Sequence, residues 1–150
     1  MIHWSGKSRY ELYAIDKENF EAEEWRQLDE FPNYWVSNKG RMWNRKTDKL
    51  VGHSESGSHG HNGKSYKYKK QYQYVTLYNS GVKKHIEVHR VMGFVFLGEV
   101  YELLHKAMPN VRWEIDHIDG DGSNNDIENL RWIHPKYNMM RRDYAKKNKV

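Results

Sequence analysis

The stretch from Glu114 to Met140 limits what this chain can fold into more than any other. It reads Glu-Ile-Asp-His-Ile-Asp-Gly-Asp-Gly-Ser-Asn-Asn-Asp-Ile-Glu-Asn-Leu-Arg-Trp-Ile-His-Pro-Lys-Tyr-Asn-Met-Met. Trp113 to Asp116 predicts a short strand, and Asp119 to Asn125 a tight turn rich in Gly, Asn and Asp. Asn129 to Ile133 predicts a second strand, and Pro135 suits the first position of a helix that runs to about Lys147. A hairpin laid on that helix draws four polar side chains toward one point. Asp116 and His117 end the first strand, Asn129 opens the second, and Asn138 sits about one turn into the helix.

The set offers one carboxylate and one amide oxygen to a hard cation, beside an imidazole that titrates near neutrality. Mg²⁺ suits such a pair, because it keeps most of its waters and takes only one or two protein oxygens when a phosphate supplies the rest. A calcium loop on Asp119, Asp121 and Asp126 does not fit. Counting from Asp116 or Asp119 gives no glycine at the sixth place followed by a glutamate at the twelfth.

Asp116-His117, Asn129 and Asn138, with Asp-His-Ile-Asp-Gly and Glu-Asn-Leu-Arg-Trp between them, resemble the His-Asn-Asn form of the HNH endonuclease motif, the ββα-metal or His-Me finger fold. The resemblance implies His117 as the general base that activates the attacking water. It implies Asp116 and Asn138 as ligands of one divalent metal ion, Mg²⁺ with Mn²⁺ as an alternative, and Asn129 as a catalytic residue that braces the hairpin and orients His117. The chemistry asks for the same residue types. Phosphodiester hydrolysis needs a base that is neutral at working pH and positive charge beside the phosphate and the leaving 3′ oxygen.

Charge is distributed to match. The chain of 150 residues has a net charge of +5, yet residues 1–33 hold 8 acidic side chains against 4 basic, and residues 91–133 hold 8 against 3. Residues 34–90 hold 12 basic against 3 acidic, and 134–150 hold 6 against 1. Two basic segments around an acidic centre suit a polyanion gripped on either side of a cation, with double-stranded DNA as the expected partner. Without the motif, solvated charged faces would explain the same pattern. Hydrophobic residues are 37% and mean hydropathy is −1.05, so the core must lean on aromatics. There is no Cys, hence no disulfide framework and no cysteine-based zinc site. No apolar run could span a bilayer and no signal-peptide pattern opens the chain, so a cytoplasmic protein without a membrane partner is expected.

Residues 1–23 form an acidic extension in which Tyr10, Tyr13, Ile15 and Phe20 read as an amphipathic helix or two short pieces, for packing or for binding a protein partner. From residue 24 to 51, Tyr34–Ser37, the turn Asn38-Lys39-Gly40 and Arg41–Arg45 predict a hairpin module. Its Trp followed by Val-Ser-Asn-Lys-Gly-Arg resembles the DNA-binding module that precedes the HNH unit in phage-type homing endonucleases. Lys39, Arg41, Arg45 and Lys46 are its candidates for phosphate contact. Residues 52–65 are a Gly/Ser/His loop. His53, His59 and His61 could hold a transition metal there, but a Gly/Ser tether imposes no geometry, and a solvated linker explains them better.

Residues 66–150 form the expected nuclease domain, with the ββα core at 113–147. Tyr66 to Tyr78 alternates tyrosines with Lys or Gln, which fits a half-buried strand or an aromatic platform where Lys67, Lys69 and Lys70 touch phosphates. Lys83–Val88 predicts a strand, His89–Leu97 a core helix and Glu99–Met108 a second helix. His89 could pack, cap or support the cleft. His134 could hydrogen bond locally or support the metal, and Arg141 and Arg142 could grip phosphates from the final helix.

The expected fold class is therefore α+β, a small antiparallel hairpin module followed by a ββα-metal nuclease unit. The expected function is metal-dependent DNA cleavage of the homing or free-standing phage type, by a monomer or homodimer that could nick one strand. The alternative is a DNA-binding or phage accessory protein that acts through protein partners.

Overall fold

A computed structural model describes residues 2–14, 20–55 and 72–138. Strands β1 (Trp4–Ala14), β2 (Phe20–Leu28), β3 (Tyr34–Ser37), β4 (Met42–Asn44) and β5 (Lys49–Leu50) form a sheet in chain order. Every neighbouring pair in it is antiparallel.

The helix expected within residues 1–23 is replaced by β1 and β2, and β2 runs straight through residues 23 and 24. The reason lies in β2's burial, which has a period of two: Glu23, Trp25 and Gln27 are buried, while Glu24 and Arg26 are less so. Glu23 reads as a surface residue, but it is only 1% exposed because Arg41 bonds both its oxygens, with Nε–Oε1 at 2.9 Å. Arg26 links this sheet to the rest of the molecule, since its Nη1 donates to the Val95 carbonyl at 2.9 Å.

The second sheet holds β6 (Ser54–Glu55), β7 (Gln73–Asn79) and β8 (Val82–Glu87). Ser54 and Glu55 pair with Tyr74 and Gln73, so two residues of the expected 52–65 loop are strand. His59, His61, Lys67, Lys69 and Lys70 lie outside the described residues. On β7, Val75 and Leu77 face the core, and Tyr74, Thr76 and Tyr78 take the opposite face.

Helices α1 (Val88–Phe96) and α2 (Gly98–Ala107) follow, close to the ranges the apolar spacing predicts. Then come β9 (Glu114–His117), a 3-10 turn (Ile127–Asn129) and β10 (Leu130–Ile133), which pairs antiparallel with β9. Residues 135–138 are helical, starting at Pro135. The architecture is a mixed α+β fold of small antiparallel sheets and few helices. Among the described residues no helix is long and apolar enough to cross a membrane.

One core joins these parts. Val88, Val91, Met92 and Val95 of α1 meet Leu28, Val36 and Met42 of the first sheet, Val75 and Leu77 of β7, and Ile115 and Leu130 of the hairpin. Gly93 makes the last contact possible. A Cβ there would sit 2.5 Å from Ile115 Cδ1 and 3.0 Å from Trp132 Cζ2. Trp132 also donates its indole N–H to the Leu97 carbonyl at 3.0 Å, fixing the hairpin to the α1–α2 joint.

Gly93→Ala tests this packing. In an exposed helix the change would stabilise by about 1 kcal/mol. Here overpacking against Ile115 and Trp132 should dominate and cost about 1–3 kcal/mol. Urea unfolding should show the midpoint falling with little change in slope, and a raised midpoint would contradict the packing described.

Candidate active site

Strand alternation separates the two residues at the end of β9. Asp116 is 1% exposed, and Arg131, its partner across the hairpin, donates Nε to Oδ2 at 3.1 Å. A buried carboxylate without such a partner would be strongly destabilising. Glu114, two residues earlier, belongs to the same strand face and accepts a 2.7 Å bond from Asn138 Nδ2. This bond brings the helix residue to the strand face that carries the carboxylate.

His134 makes the helix start possible by accepting the Lys136 amide on Nδ1 at 3.1 Å, the role a Ser or Thr cap would fill. Asn138 is 6% exposed, and with its Nδ2 held by Glu114 its amide oxygen is fixed as an acceptor. That oxygen is buried and has no hydrogen-bond partner among the described residues. Leaving an acceptor so is costly unless a donor or cation occupies the place.

His117, also 1% exposed, points its Nε2 at Asn125 Oδ1, 2.9 Å away. Its ring meets His89 edge-on at 5.0 Å and stacks with Tyr72 at 5.8 Å. His89 Nε2 lies 3.1 Å from Glu87 Oε2. This hydrogen bond, helped by the charges of His89 and Arg90, holds the Glu87 carboxyl below the usual range although burial opposes it. Tyr72, Glu87, His89, Arg90, Glu114 and Asn138 line a cleft of about 200 Å³. A second groove of about 490 Å³ shares Glu87 and Arg90 and adds Lys84 and His85.

The turn between the hairpin strands is closed by Asn129. Its Oδ1 accepts the Asp119 amide at 3.0 Å, and its Nδ2 donates to Asp119 Oδ1 and to the Asn124 carbonyl, both at 2.9 Å. The residue bonded to the His117 ring is Asn125, four positions earlier, which sequence reasoning took for part of the turn.

Comparison with known proteins places this geometry. The HNH endonuclease family model matches residues 87–140. These residues form an HNH endonuclease domain. The chain is 29% identical over 110 residues to the H-N-H endonuclease F-TflII of Escherichia phage T5, covering 72% of this chain and 46% of that protein. It is 28% identical over 117 residues to the DNA endonuclease I-HmuI of Bacillus phage SP01, covering 77% and 55%. An uncharacterized HNH endonuclease of Acanthamoeba polyphaga mimivirus is 27% identical over 114 residues, covering 76% and 28%. The chain thus spans between about a quarter and somewhat over half the length of these relatives. The structure of I-HmuI shares the fold, with a TM-score of 0.57 and 24% identity over 84% of this chain and 61% of that one.

The other expected contact residues divide. Lys39 pairs with Asp126 at 3.2 Å and Arg41 with Glu23, so both cations are directed at carboxylates of the protein. Arg45 and Lys46 are exposed, and Arg141 and Arg142 lie outside the described residues. Sequence reasoning overlooked Glu114, Asn125 and Arg90. The signal available for Asn125 was the doubled Asn124-Asn125, of which a turn needs one.

The HNH turn should respond to acid. Asp119 is held below the usual aspartate range first by the Asn124 side chain, then by the Asp121 amide and the Asn129 side chain. Asp121 is lowered by the Ser123 hydroxyl and amide. Because the folded values lie below the unfolded ones, these bonds add stability above the ordinary carboxylate range and lose it as pH falls through the depressed values. The Asp121 and Ser123 amide proton shifts should therefore titrate with midpoints below 3.8, the ordinary aspartate value. Midpoints above it would contradict the bonding.

Proposed function

We propose that the protein is a divalent-metal-dependent DNA endonuclease of the phage homing or free-standing type, cutting one strand of a duplex at each active site. One observation carries the reading. A single hairpin holds a buried carboxylate, Asp116, next to an imidazole fixed by an amide, His117, and receives on its Asp116 face an Asn138 oxygen that has no donor among the described residues. The relatives' names and the likeness of residues 87–140 to the HNH family support it.

The donor set fits the ion. Asp116 and Asn138 would hold it, supplying one carboxylate and one neutral oxygen, as suits Mg²⁺ or Mn²⁺ when a phosphate completes the shell. Among the described residues no group of three or more His, Cys, Asp or Glu side chains could hold a metal. Once bound, such a cation supplies positive charge beside the scissile phosphate and the leaving oxygen.

His117 takes the proton of the attacking water, with its ring kept in place by Asn125, Tyr72 and His89. Asn129 closes the turn on which His117 sits. Arg45, Lys46 and Arg90, with Lys67, Lys69, Lys70, Arg141 and Arg142, supply the phosphate contacts that hold the duplex.

The test is cleavage of duplex DNA with Mg²⁺ or Mn²⁺, scored for nicks. The native chain should nick, chelator should stop it, and His117→Ala should lower the rate by about 10²–10⁴-fold, the usual worth of a general base. Equal cutting by both forms would remove His117 from the mechanism. Salt-sensitive binding with no nicks under any metal would instead leave a DNA-binding protein.

A further inference from the structure

The hairpin turn Ser37–Arg41 is tied on one side to β2 and on the other to the segment beside the active site. The Ser37 hydroxyl accepts the amides of Lys39 and Arg41, both at 3.2 Å. Asn38 binds β2 twice, its amide donating to the Glu24 carbonyl at 2.9 Å and its Oδ1 accepting the Glu24 amide at 3.1 Å. The Asn38 carbonyl then accepts the Ile127 amide at 2.9 Å, and Lys39 pairs with Asp126. Gly40, at φ +83°, lies so close to Asn125 that a Cβ would meet Asn125 Cβ at 2.7 Å and its carbonyl oxygen at 2.8 Å. The turn therefore rests on three consecutive residues of the HNH domain: Asn125, Asp126 and Ile127.

We infer that Asn125 is the positioning residue for His117, and that the Ser37–Arg41 turn is the brace that holds Asn125 in place. The inference rests on the nuclease reading only for its consequence in catalysis, not for its geometry. Asn125 Nδ2 donates to Gln73 Oε1 at 3.0 Å, which directs Oδ1 at His117. Gln73 Oε1 in turn lies 3.1 Å from His53 Nδ1. An amide oxygen can only accept, so Nε2 of His117 carries the ring proton and Nδ1 is the ring's acceptor. A general base requires that tautomer to be single and the ring not to swing.

Three substitutions in the full chain separate this from a structural role. Asn125→Ala removes the acceptor, Asn125→Asp keeps it, and Gly40→Ala displaces it from a distance. Imidazole ¹⁵N shifts should show His117 as the Nε2–H tautomer in the native chain and in Asn125→Asp. Asn125→Ala and Gly40→Ala should each give a tautomer mixture while still unfolding cooperatively.

In nicking assays, kcat should fall by about 100-fold in the two disrupting variants, the cost of a misplaced reacting group. KM for DNA should hardly move, and Asn125→Asp should recover most of kcat. A native tautomer and native kcat in Asn125→Ala would overturn the inference. If the native chain cuts no DNA, the nuclease reading fails, and the tautomer comparison alone still decides whether Asn125 and Gly40 hold His117. Should Gly40→Ala not fold, the two Asn125 variants decide it.

Discussion

The fold depends on one apolar face, the side of α1 formed by Val88, Val91, Met92 and Val95. With a mean hydropathy of −1.05, the chain has too few apolar residues to give each sheet a core of its own. Two sheets and the β9–β10 hairpin therefore share that face, and burying it is what draws the N-terminal sheet and the HNH domain into one body. Close sharing has a steric condition. At Gly93 the helix surface is flat enough for Ile115 and Trp132 to lie on it, and any side chain there would lift the hairpin that carries the active site.

Much of this is written locally and so is readable in sequence. The strand, turn, strand and helix start of residues 113–138 follow from turn chemistry and a proline, and α1 from apolar residues at helical spacing. What could not be read is long-range. Glu23 looks like a solvated acid until Arg41, eighteen positions away, is placed beside it, and only then does β2 show its period of two. The same holds in the site. Asn124 and Asn125 are indistinguishable as letters; one serves the turn and the other turns inward to His117 only because Gly40 and Gln73 lie on its far side. Asn129 at its expected spacing was legible, but not that its three side-chain bonds all close the turn.

Charge shows the same gap between composition and placement. The excess of basic side chains over residues 34–90 suggests a surface for a polyanion, yet two of its four hairpin cations, Lys39 and Arg41, face Asp126 and Glu23. Both pairs are partly buried, where a charge-assisted bond is worth more than at an open surface and where breaking one partner leaves the other uncompensated. Arg90 was counted only as one more cation. Its position at the rim shared by both grooves, beside a Glu87 carboxyl held below the usual range by His89, gives it access to the cleft that the carboxylate-paired hairpin cations lack.

A carboxylate and an imidazole adjacent in sequence must point to opposite faces of their strand, so each needs a separate support. The carboxylate side is supported from within the HNH domain, by Arg131 across the hairpin and by Glu114, which holds Asn138. The imidazole side is supported largely from outside the turn that follows it. Its ring neighbours are Tyr72, just ahead of β7, and His89 of α1, and its hydrogen-bonded amide is backed by β7 and by the first sheet's turn. A unit cut down to residues 113–138 would keep Asp116, Glu114 and Asn138 together and lose much of what fixes the His117 ring. That asymmetry accounts for the close fit of the glycine turn against Asn125, a residue more than eighty positions away in sequence.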